Sequence, residues 1–155
     1  LPTTARAACT RCPTPILPDS PPPLQPFAFT PNLQTRMATI ADSTIFVTGG
    51  AGFVGSYVVE ELLLHNPKEI IIVDNMIRGT LANMASFQDD PRVTFIEGDI
   101  RDQALMDELM SRTDYLFHMA ALRITRCAED HQNAFEVMVK ATFDLFELAV
   151  KHQVK

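Results

Sequence analysis

The sequence predicts an α/β protein in which helices cover both faces of a parallel sheet. From residue 44 onward, short apolar runs alternate with segments of helical periodicity, and the runs are apolar throughout rather than at every second position. Continuous apolar strands are typical of parallel sheets that are buried on both faces. A glycine-rich turn follows the first of these runs. We therefore expect part of a doubly wound sheet, with its first four strands in the order 3-2-1-4.

The elements follow one another in a regular order along the chain. Strands are predicted at TIFVT (44–48), EIIIVD (69–74), RVTFIEGD (92–99) and DYLFHMAA (114–121). Helices are predicted at 53–65, at 102–110 with Asp102 as the N-cap, and at 131–152, with a short segment at 79–87. Two sets of residues have the spacing of one helix face: Val54, Val58, Leu62 and His65, and a core-facing stripe of Met138, Thr142, Leu145 and Ala149.

The first 43 residues differ in composition from the rest. Nine of the eleven prolines precede Met37, and no glycine does. Proline-rich chain without apolar periodicity does not form helix or sheet, so we expect residues 1–43 to be a disordered extension. The position of Met37 just before the first strand favours the hypothesis that Met37 is the true start, and a targeting peptide is the alternative. Cys9 and Cys12 form a C-x-x-C without a second pair, and we predict no metal site.

Composition excludes several classes of partner. The net charge of -6 and the scattered positive residues argue against nucleic-acid binding. No run approaches the roughly 18 to 20 apolar residues of a membrane-spanning helix, so we expect no membrane association. The three cysteines form no disulfide framework, which favours a cytoplasmic location.

The glycine-rich turn predicts a phosphate site. Gly49, Gly52 and Gly55 form T-G-x-x-G-x-x-G between a predicted strand and a predicted helix. In that context the turn directs amides at a helix N-terminus towards a pyrophosphate, and Gly55 lets the helix pack closely. Asp74 ends the second strand, where its carboxylate would accept hydrogen bonds from an adenosine ribose and repel a 2′-phosphate. Asn75, the next residue, has two interpretations, a cofactor-binding residue or an ordinary turn residue, because Asp-Asn is common in turns.

Several motifs together resemble one family. TGGAGFVG, IIIVDN, IEGDIRD, LFHMAALR and VMVKATFDLFELAV occur in the order found in the extended short-chain dehydrogenases/reductases, the NAD-dependent epimerase/dehydratase family that acts on nucleotide sugars. The resemblance runs from about Ile45 to the end of the chain. It implies a Rossmann fold, NAD as the cofactor, a nucleotide-sugar substrate and a possible homodimer of the complete protein. Residues 44–155 would then be the N-terminal part of the NAD-binding domain.

The resemblance also implies a set of cofactor-binding residues. Gly49, Gly52, Phe53 and Val54 would hold the pyrophosphate, and Gly55 would serve packing. Asp74 would bind the adenosine ribose, with Asn75 beside it. The adenine would lie near Asp99 and Ile100, and the rest of the cofactor would extend along Met119, Ala120, Ala121 and Arg123. Members of the family commonly have Asn and Gly where this chain has Met138 and Ala141, so no cofactor contact is predicted from this helix.

No catalytic residue is predicted within these 155 residues. The superfamily uses a tyrosine with a lysine four residues later, after the fifth strand. Tyr57 and Tyr115 are followed at that spacing by Glu61 and Met119. His118 lies within an apolar strand and is interpreted as a core histidine with satisfied hydrogen bonds. We therefore expect an inactive fragment of an enzyme that transfers hydride between a sugar carbon and NAD. The alternatives are a non-catalytic NAD-binding module and a reductase of a non-sugar substrate, such as a steroid or flavonoid.

Overall fold

A computed structural model describes residues 40–155, so residues 1–39 of the predicted extension, including Met37 and the Cys9/Cys12 pair, lie outside the described residues. Residues 40–43, which were predicted to belong to the extension, form a turn before the first strand, and Ser43 is buried. The described chain contains a four-stranded parallel sheet whose strands are β1 (Thr44–Thr48), β2 (Glu69–Asp74), β3 (Val93–Glu97) and β4 (Tyr115–His118). The strand order is β3-β2-β1-β4, which confirms the order predicted from the sequence.

Helices connect the strands on both faces. Their bounds are α1 (Phe53–Leu64), α2 (Leu81–Met84), α3 (Gln103–Met110), α4 (Ile124–Glu129), α5 (His131–Phe135) and α6 (Thr142–His152). Asp102 caps α3 as predicted, because its side chain accepts hydrogen bonds from the backbone N–H groups of Ala104 and Leu105, at 3.1 Å each. Within residues 40–155, no helix combines the length and apolar character needed to cross a bilayer.

The core has two layers, one on each side of the sheet. Successive residues of a strand point to opposite faces, so Ile45 and Val47 pack in one layer while Phe46 between them packs in the other. The first layer includes Val59 and Leu62 of α1. The second layer joins the sheet to α3 and α6 through buried side chains that include Met106, Leu109 and Leu145. The central strands are therefore covered on both sides, as their continuous apolar runs predicted.

The segment predicted as one helix at 131–152 is divided. Residues Glu136–Ala141 form a π-helical segment between α5 and α6. A π turn inserts one extra residue, and its local sequence EVMVKA has no proline or glycine that would mark it. Of the stripe predicted to face the core from this helix, Leu145 is fully buried, whereas Met138 is exposed.

The buried face of the first helix coincides only in part with the face that its spacing outlined, since Leu62 is buried and Val58 is half-buried. Val54 and His65 are exposed, whereas Gly55, Ser56, Val59 and Leu62 are buried. Two small residues thus begin the buried face, where α1 lies against the glycine turn.

Strand β4 forms one edge of the sheet, and the last residue of the chain pairs with it. The backbone N–H of Lys155 donates to the carbonyl of Asp114 at 3.0 Å, and Lys155 O accepts from the N–H of Leu116 at 2.9 Å. In a parallel ladder one residue bonds in this way to two residues that are two positions apart on the neighbouring strand. Lys155 therefore occupies the position of a further strand beside β4.

Candidate functional site

The predicted site residues follow the carboxyl ends of the four strands. Because all strands are parallel, these ends meet at one edge of the sheet. Ligands of open α/β sheets bind at this edge, in the crevice where connections leave to opposite faces. The residues that follow β1 and β4, the two strands on either side of that crevice, are in direct contact.

Gly49 makes the contact between the segments after β1 and β4. Its φ of +71° is in the left-handed region, which favours glycine. Its N–H donates to the carbonyl of Val73 at 2.7 Å, which fixes the turn to the end of β2. A Cβ at Gly49 would lie 2.7 Å from the backbone nitrogen of Ala120. Only glycine therefore allows both the turn and this close approach.

Helix α1 starts in the same turn without a capping side chain. Gly52 is its N-cap, and no side chain accepts a hydrogen bond from its first turn. In contrast, α2, α3 and α5 each start with a residue whose side chain accepts such a bond. These residues are Thr80, Asp102 and Asp130. The first amides of an α-helix have no partner within the helix. The start of α1 thus offers N–H groups and the positive end of a helix dipole to an anion.

Gly55 brings the start of α1 onto the backbone of the turn. A Cβ at this position would overlap the carbonyl oxygen of Gly49 and lie 2.9 Å from the Cα of Gly50. The side chains of Phe53 and Val54 point away from this contact and are exposed, and the ring of Phe53 packs edge-on against Tyr57 with centroids 5.4 Å apart. Phe53 and Val54 could therefore meet a phosphate through their backbone rather than through their side chains.

Asp74 connects the end of β2 to the glycine turn. The residue is only 8% exposed, and its carboxylate oxygens accept hydrogen bonds from Ala51 N–H at 3.1 Å and Met76 N–H at 2.9 Å. Gly79 lies against this carboxylate, since a Cβ there would be 2.8 Å from Oδ1. Each carboxylate oxygen has two acceptor sites, so each keeps one for a ligand hydroxyl.

Asp99 follows β3 and forms an ion pair with Arg101. The guanidinium donates to both carboxylate oxygens, at 2.9 Å and 2.6 Å. Arg101 holds the pKa of Asp99 below its ordinary value, and the amide of Asn75 acts in the same direction. Asn75, which follows β2, and Asp99, which follows β3, are therefore neighbours, a contact that the sequence did not predict. Ile100 differs, because its side chain is buried in the core layer of α3 and is not directed into the crevice.

The segment after β4 supplies the remaining predicted residues. The N–H of Met119 donates to Thr48 O at 3.0 Å, and both Met119 and Ala120 are half-buried. Ala121 and Arg123 are exposed, and Arg123 is the residue before α4. Small side chains at Ala120 and Ala121 leave space along this wall of the crevice.

Hydrogen bonds that sequence reasoning missed hold this segment in place. His118 Nδ1 lies 2.7 Å from the hydroxyl of Thr48, and His118 Nε2 lies 3.1 Å from the hydroxyl of Thr142. Burial lowers the pKa of His118 below its ordinary value. The histidine is thus satisfied, as its apolar strand predicted. Met138 Sδ also accepts the N–H of Leu122, at 3.1 Å.

The arrangement can bind and orient a nucleotide, and its residues fit the diphosphate and ribose of a dinucleotide. Amides at the start of α1 suit a diphosphate, and Asp74 suits a ribose diol. For proton transfer the described part of the chain offers less, because His118 is committed to two threonines and neither tyrosine has a lysine four residues later. The groups that these residues bring together at the crevice are therefore suited to binding a nucleotide.

Known proteins resemble this chain along its structured part. The family model of the NAD dependent epimerase/dehydratase family matches residues 45–155. The dTDP-glucose 4,6-dehydratase of Neisseria gonorrhoeae is 32% identical over 117 residues, which cover 73% of this chain and 34% of the relative. The UDP-glucose 4-epimerase of Lacticaseibacillus casei is 37% identical over 83 residues, which cover 52% of this chain and 23% of the relative.

Solved structures give the same result. The dTDP-glucose 4,6-dehydratase DesIV of Streptomyces venezuelae, crystallised with NAD and TYD bound, is 35% identical and superposes with a TM-score of 0.67, over 72% of this chain and 37% of DesIV. The chain thus spans little more than a third, at most, of the length of these relatives. The family model covers well over half of the chain, and the chain belongs to the NAD dependent epimerase/dehydratase family.

Proposed function

We propose that residues 44–155 are the NAD-binding part of an enzyme that epimerises or dehydrates a nucleotide sugar. The observation that carries the proposal is the uncapped start of α1 in a glycine turn that no Cβ would fit, with Asp74 at the adjacent strand end. Family membership over residues 45–155 supports it. The domain boundary at residue 44, where β1 begins, is part of this proposal.

In the proposed complex the pyrophosphate binds at the glycine turn. Gly49 and Gly52 keep the backbone free of side chains, the amides of Phe53 and Val54 donate to phosphate oxygens, and Gly55 holds α1 against the turn. A dinucleotide fits here because its two phosphates need several donors at short range, and the first turn of an uncapped helix supplies them.

Asp74 selects NAD over NADP in this proposal. Its carboxylate accepts hydrogen bonds from the ribose hydroxyls of the adenosine, and its charge repels a 2′-phosphate. The carboxylate is already oriented by Ala51 and Met76, so no side-chain freedom is lost on binding. Arg78 is exposed nearby and is the one cation of this segment that would favour a phosphate.

The remaining residues line the cofactor. Asn75 and Asp99 lie beside the adenine, and the contribution of Ile100 is through its backbone, since its side chain is in the core. The second half of the cofactor extends along four residues after β4: Met119, Ala120, Ala121 and Arg123.

When bound, NAD supplies the acceptor for a hydride from a sugar carbon. The residues of this chain bind and orient it, and the proton of the sugar hydroxyl would pass to a tyrosine and lysine pair elsewhere in the complete protein. The second candidate is a non-catalytic NAD-binding module, which is the expected function if the complete protein has no such pair. A cytoplasmic location, favoured by the lack of a disulfide framework, is part of the same proposal.

An activity assay on the full-length protein tests this function. We expect the protein, supplied with NAD, to convert UDP-glucose or dTDP-glucose to a 4-epimer or a 4-keto-6-deoxy product, followed by NMR of the sugar. Binding of NAD without turnover of either nucleotide sugar would favour the non-catalytic module. Turnover of a steroid or flavonoid instead would replace the sugar assignment.

We also propose that the complete protein is a homodimer and that an apolar stripe on its longest helical segment forms the contact. The stripe consists of residues more than half exposed, namely Phe135, Val139, Phe143, Phe146 and Val150. Such a surface on one helical face is typical of an interaction site.

Charge favours a second copy of the chain as the partner. From Val139 onward the stripe has the 4-3-4 spacing of a coiled-coil seam. In an antiparallel pair, Val139 would face Val150 of the second copy and Phe143 would face Phe146. The same register places Lys140 next to Glu147 of the second copy, twice by symmetry. The stripe and its flanking charges are thus complementary to themselves.

A further inference from the structure

The end of β1, the end of β4 and the start of α6 are joined by a line of three polar side chains. Thr48 is the last residue of β1, His118 is the last residue of β4, and Thr142 is the first residue of α6. The imidazole lies between the two hydroxyl groups, with Nδ1 2.7 Å from Thr48 Oγ1 and Nε2 3.1 Å from Thr142 Oγ1. The hydroxyl of Thr48 also accepts the backbone N–H of Ala120, at 3.3 Å.

This line ends where Gly49 and Ala120 are in contact. Gly49 directly follows Thr48, and a Cβ on Gly49 would lie 2.7 Å from the nitrogen of Ala120. The hydroxyl of Thr48 therefore acts where the glycine turn meets the segment after β4. A small change in its direction would move the two walls of the proposed cofactor crevice relative to each other.

The hydrogen bonds of the Thr48 hydroxyl indicate which nitrogen of His118 carries the proton. Thr48 is completely buried, and among residues 40–155 its hydroxyl hydrogen has one acceptor within reach, His118 Nδ1. A buried hydroxyl hydrogen without an acceptor is rare, so Nδ1 accepts and Nε2 carries the hydrogen that is donated to Thr142. Burial lowers the pKa of His118, which favours this neutral form.

A second contact joins the same helical segment to the same loop. Met138 lies in the π-helical segment that precedes α6, and its Sδ accepts the N–H of Leu122 at 3.1 Å. The loop after β4 is thus attached at Ala120 through Thr48 and at Leu122 through Met138. His118 is the only one of these groups that contacts both the sheet and α6.

We propose that His118 is a positioning residue for the cofactor: its neutral Nε2–H form orients the Thr48 hydroxyl, which holds Ala120 against the glycine turn. The inference rests on the proposed NAD site and adds to it a residue that touches neither the cofactor nor a substrate. His118 acts through Thr48, while Thr142 anchors the far side of the ring to α6.

Two amide substitutions in the full-length protein separate the two nitrogens. His118→Asn places an amide near the position of Nδ1 and loses the contact with Thr142. His118→Gln reaches the position of Nε2 and loses the contact with Thr48. We expect His118→Asn to keep the NAD dissociation constant within about threefold and His118→Gln to raise it about tenfold, the ratio that corresponds to one hydrogen bond.

Substitutions of Thr48 test the hydroxyl itself. Thr48→Ser keeps the hydroxyl and should bind NAD normally, whereas Thr48→Val keeps the shape and should weaken binding about as much as His118→Gln. Leu109→Ala is the control for lost stability, because Leu109 is buried in the core layer of α3 outside this line of contacts. We expect Leu109→Ala to lower the melting temperature with no change in NAD affinity.

Several results would overturn the proposal. Equal NAD affinities of Thr48→Ser and Thr48→Val would do so. A Leu109→Ala variant that loses NAD affinity together with melting temperature would also do so, because weaker binding would then follow from lost stability alone. NMR of the unsubstituted protein provides a test that no folding failure affects: nitrogen-15 shifts must show His118 neutral with its proton on Nε2, and a proton on Nδ1 contradicts the proposal. If the unsubstituted protein binds no NAD, the proposed function fails instead.

Discussion

Asp74 combines two tasks in one carboxylate. It supports the glycine turn through Ala51, and in the proposed complex it binds the ribose and excludes a 2′-phosphate. The two tasks differ in what they require. Support of the turn needs an acceptor atom, whereas exclusion of a phosphate needs charge. Neutral and truncated side chains therefore affect the two tasks differently.

We expect Asp74→Asn to narrow the preference for NAD over NADP while most of the thermal stability is kept, because asparagine retains one acceptor. Asp74→Ala should remove both tasks, with a loss on the order of 1 to 3 kcal/mol in NAD binding and a lower melting temperature. Glu97→Gln is a suitable control, since Glu97 pairs in register with Asp74 and its side chain is exposed. A substitution at Glu97 that narrows the preference equally would contradict a specific role for Asp74.

At the scale of secondary-structure elements, the sequence predicted what depends on local pattern. All four strands and helices α1 and α3 were found close to their predicted positions, because each has a short apolar run or a set of apolar residues at helical spacing. The runs of β1 and β2 are buried almost throughout, and that of β4 is half-buried. Helix α4 was not predicted. Its six residues bury no side chain, and Ile124 at its start is largely exposed, so it has no apolar stripe to detect.

Contacts between distant elements were not predictable in the same way. The polar residues that end two apolar strands, Thr48 and His118, are visible in the sequence, but their pairing across 70 positions depends on the sheet register. The π-helical segment is another example, because its sequence contains no proline or glycine that would mark a change of helix type. The glycine turn was predictable, since its spacing is confined to one connection.

The apolar stripe makes a prediction at the same scale. We expect Lys140→Glu and Glu147→Lys, each alone, to weaken dimerisation of the full-length protein on the order of tenfold, and the double variant to restore it, as measured by analytical ultracentrifugation. Asp144→Asn is the control, because it removes the negative charge 2.6 Å from Lys140 Nζ within the helix without changing the stripe. A monomeric full-length protein would contradict the pairing and would indicate that another part of its own chain covers the stripe.

At the scale of the whole molecule, the described residues form a four-stranded sheet with the candidate cofactor site at the carboxyl ends of its strands. The sheet has β4 at its edge, and Lys155 already pairs with that edge as the beginning of a further strand would. Unpaired strand edges favour aggregation, so a continuing strand would both protect β4 and extend the cofactor crevice.

Calorimetric titration of the full-length protein with NAD and with NADP tests the central claim most directly. The glycine turn and Asp74 together predict that NAD binds with one site per chain and that NADP binds at least about tenfold more weakly, because a 2′-phosphate would lie against a carboxylate that is already fixed in place. Absence of NAD binding would contradict the assignment of the site. NADP binding as tight as that of NAD, or tighter, would contradict the role of Asp74.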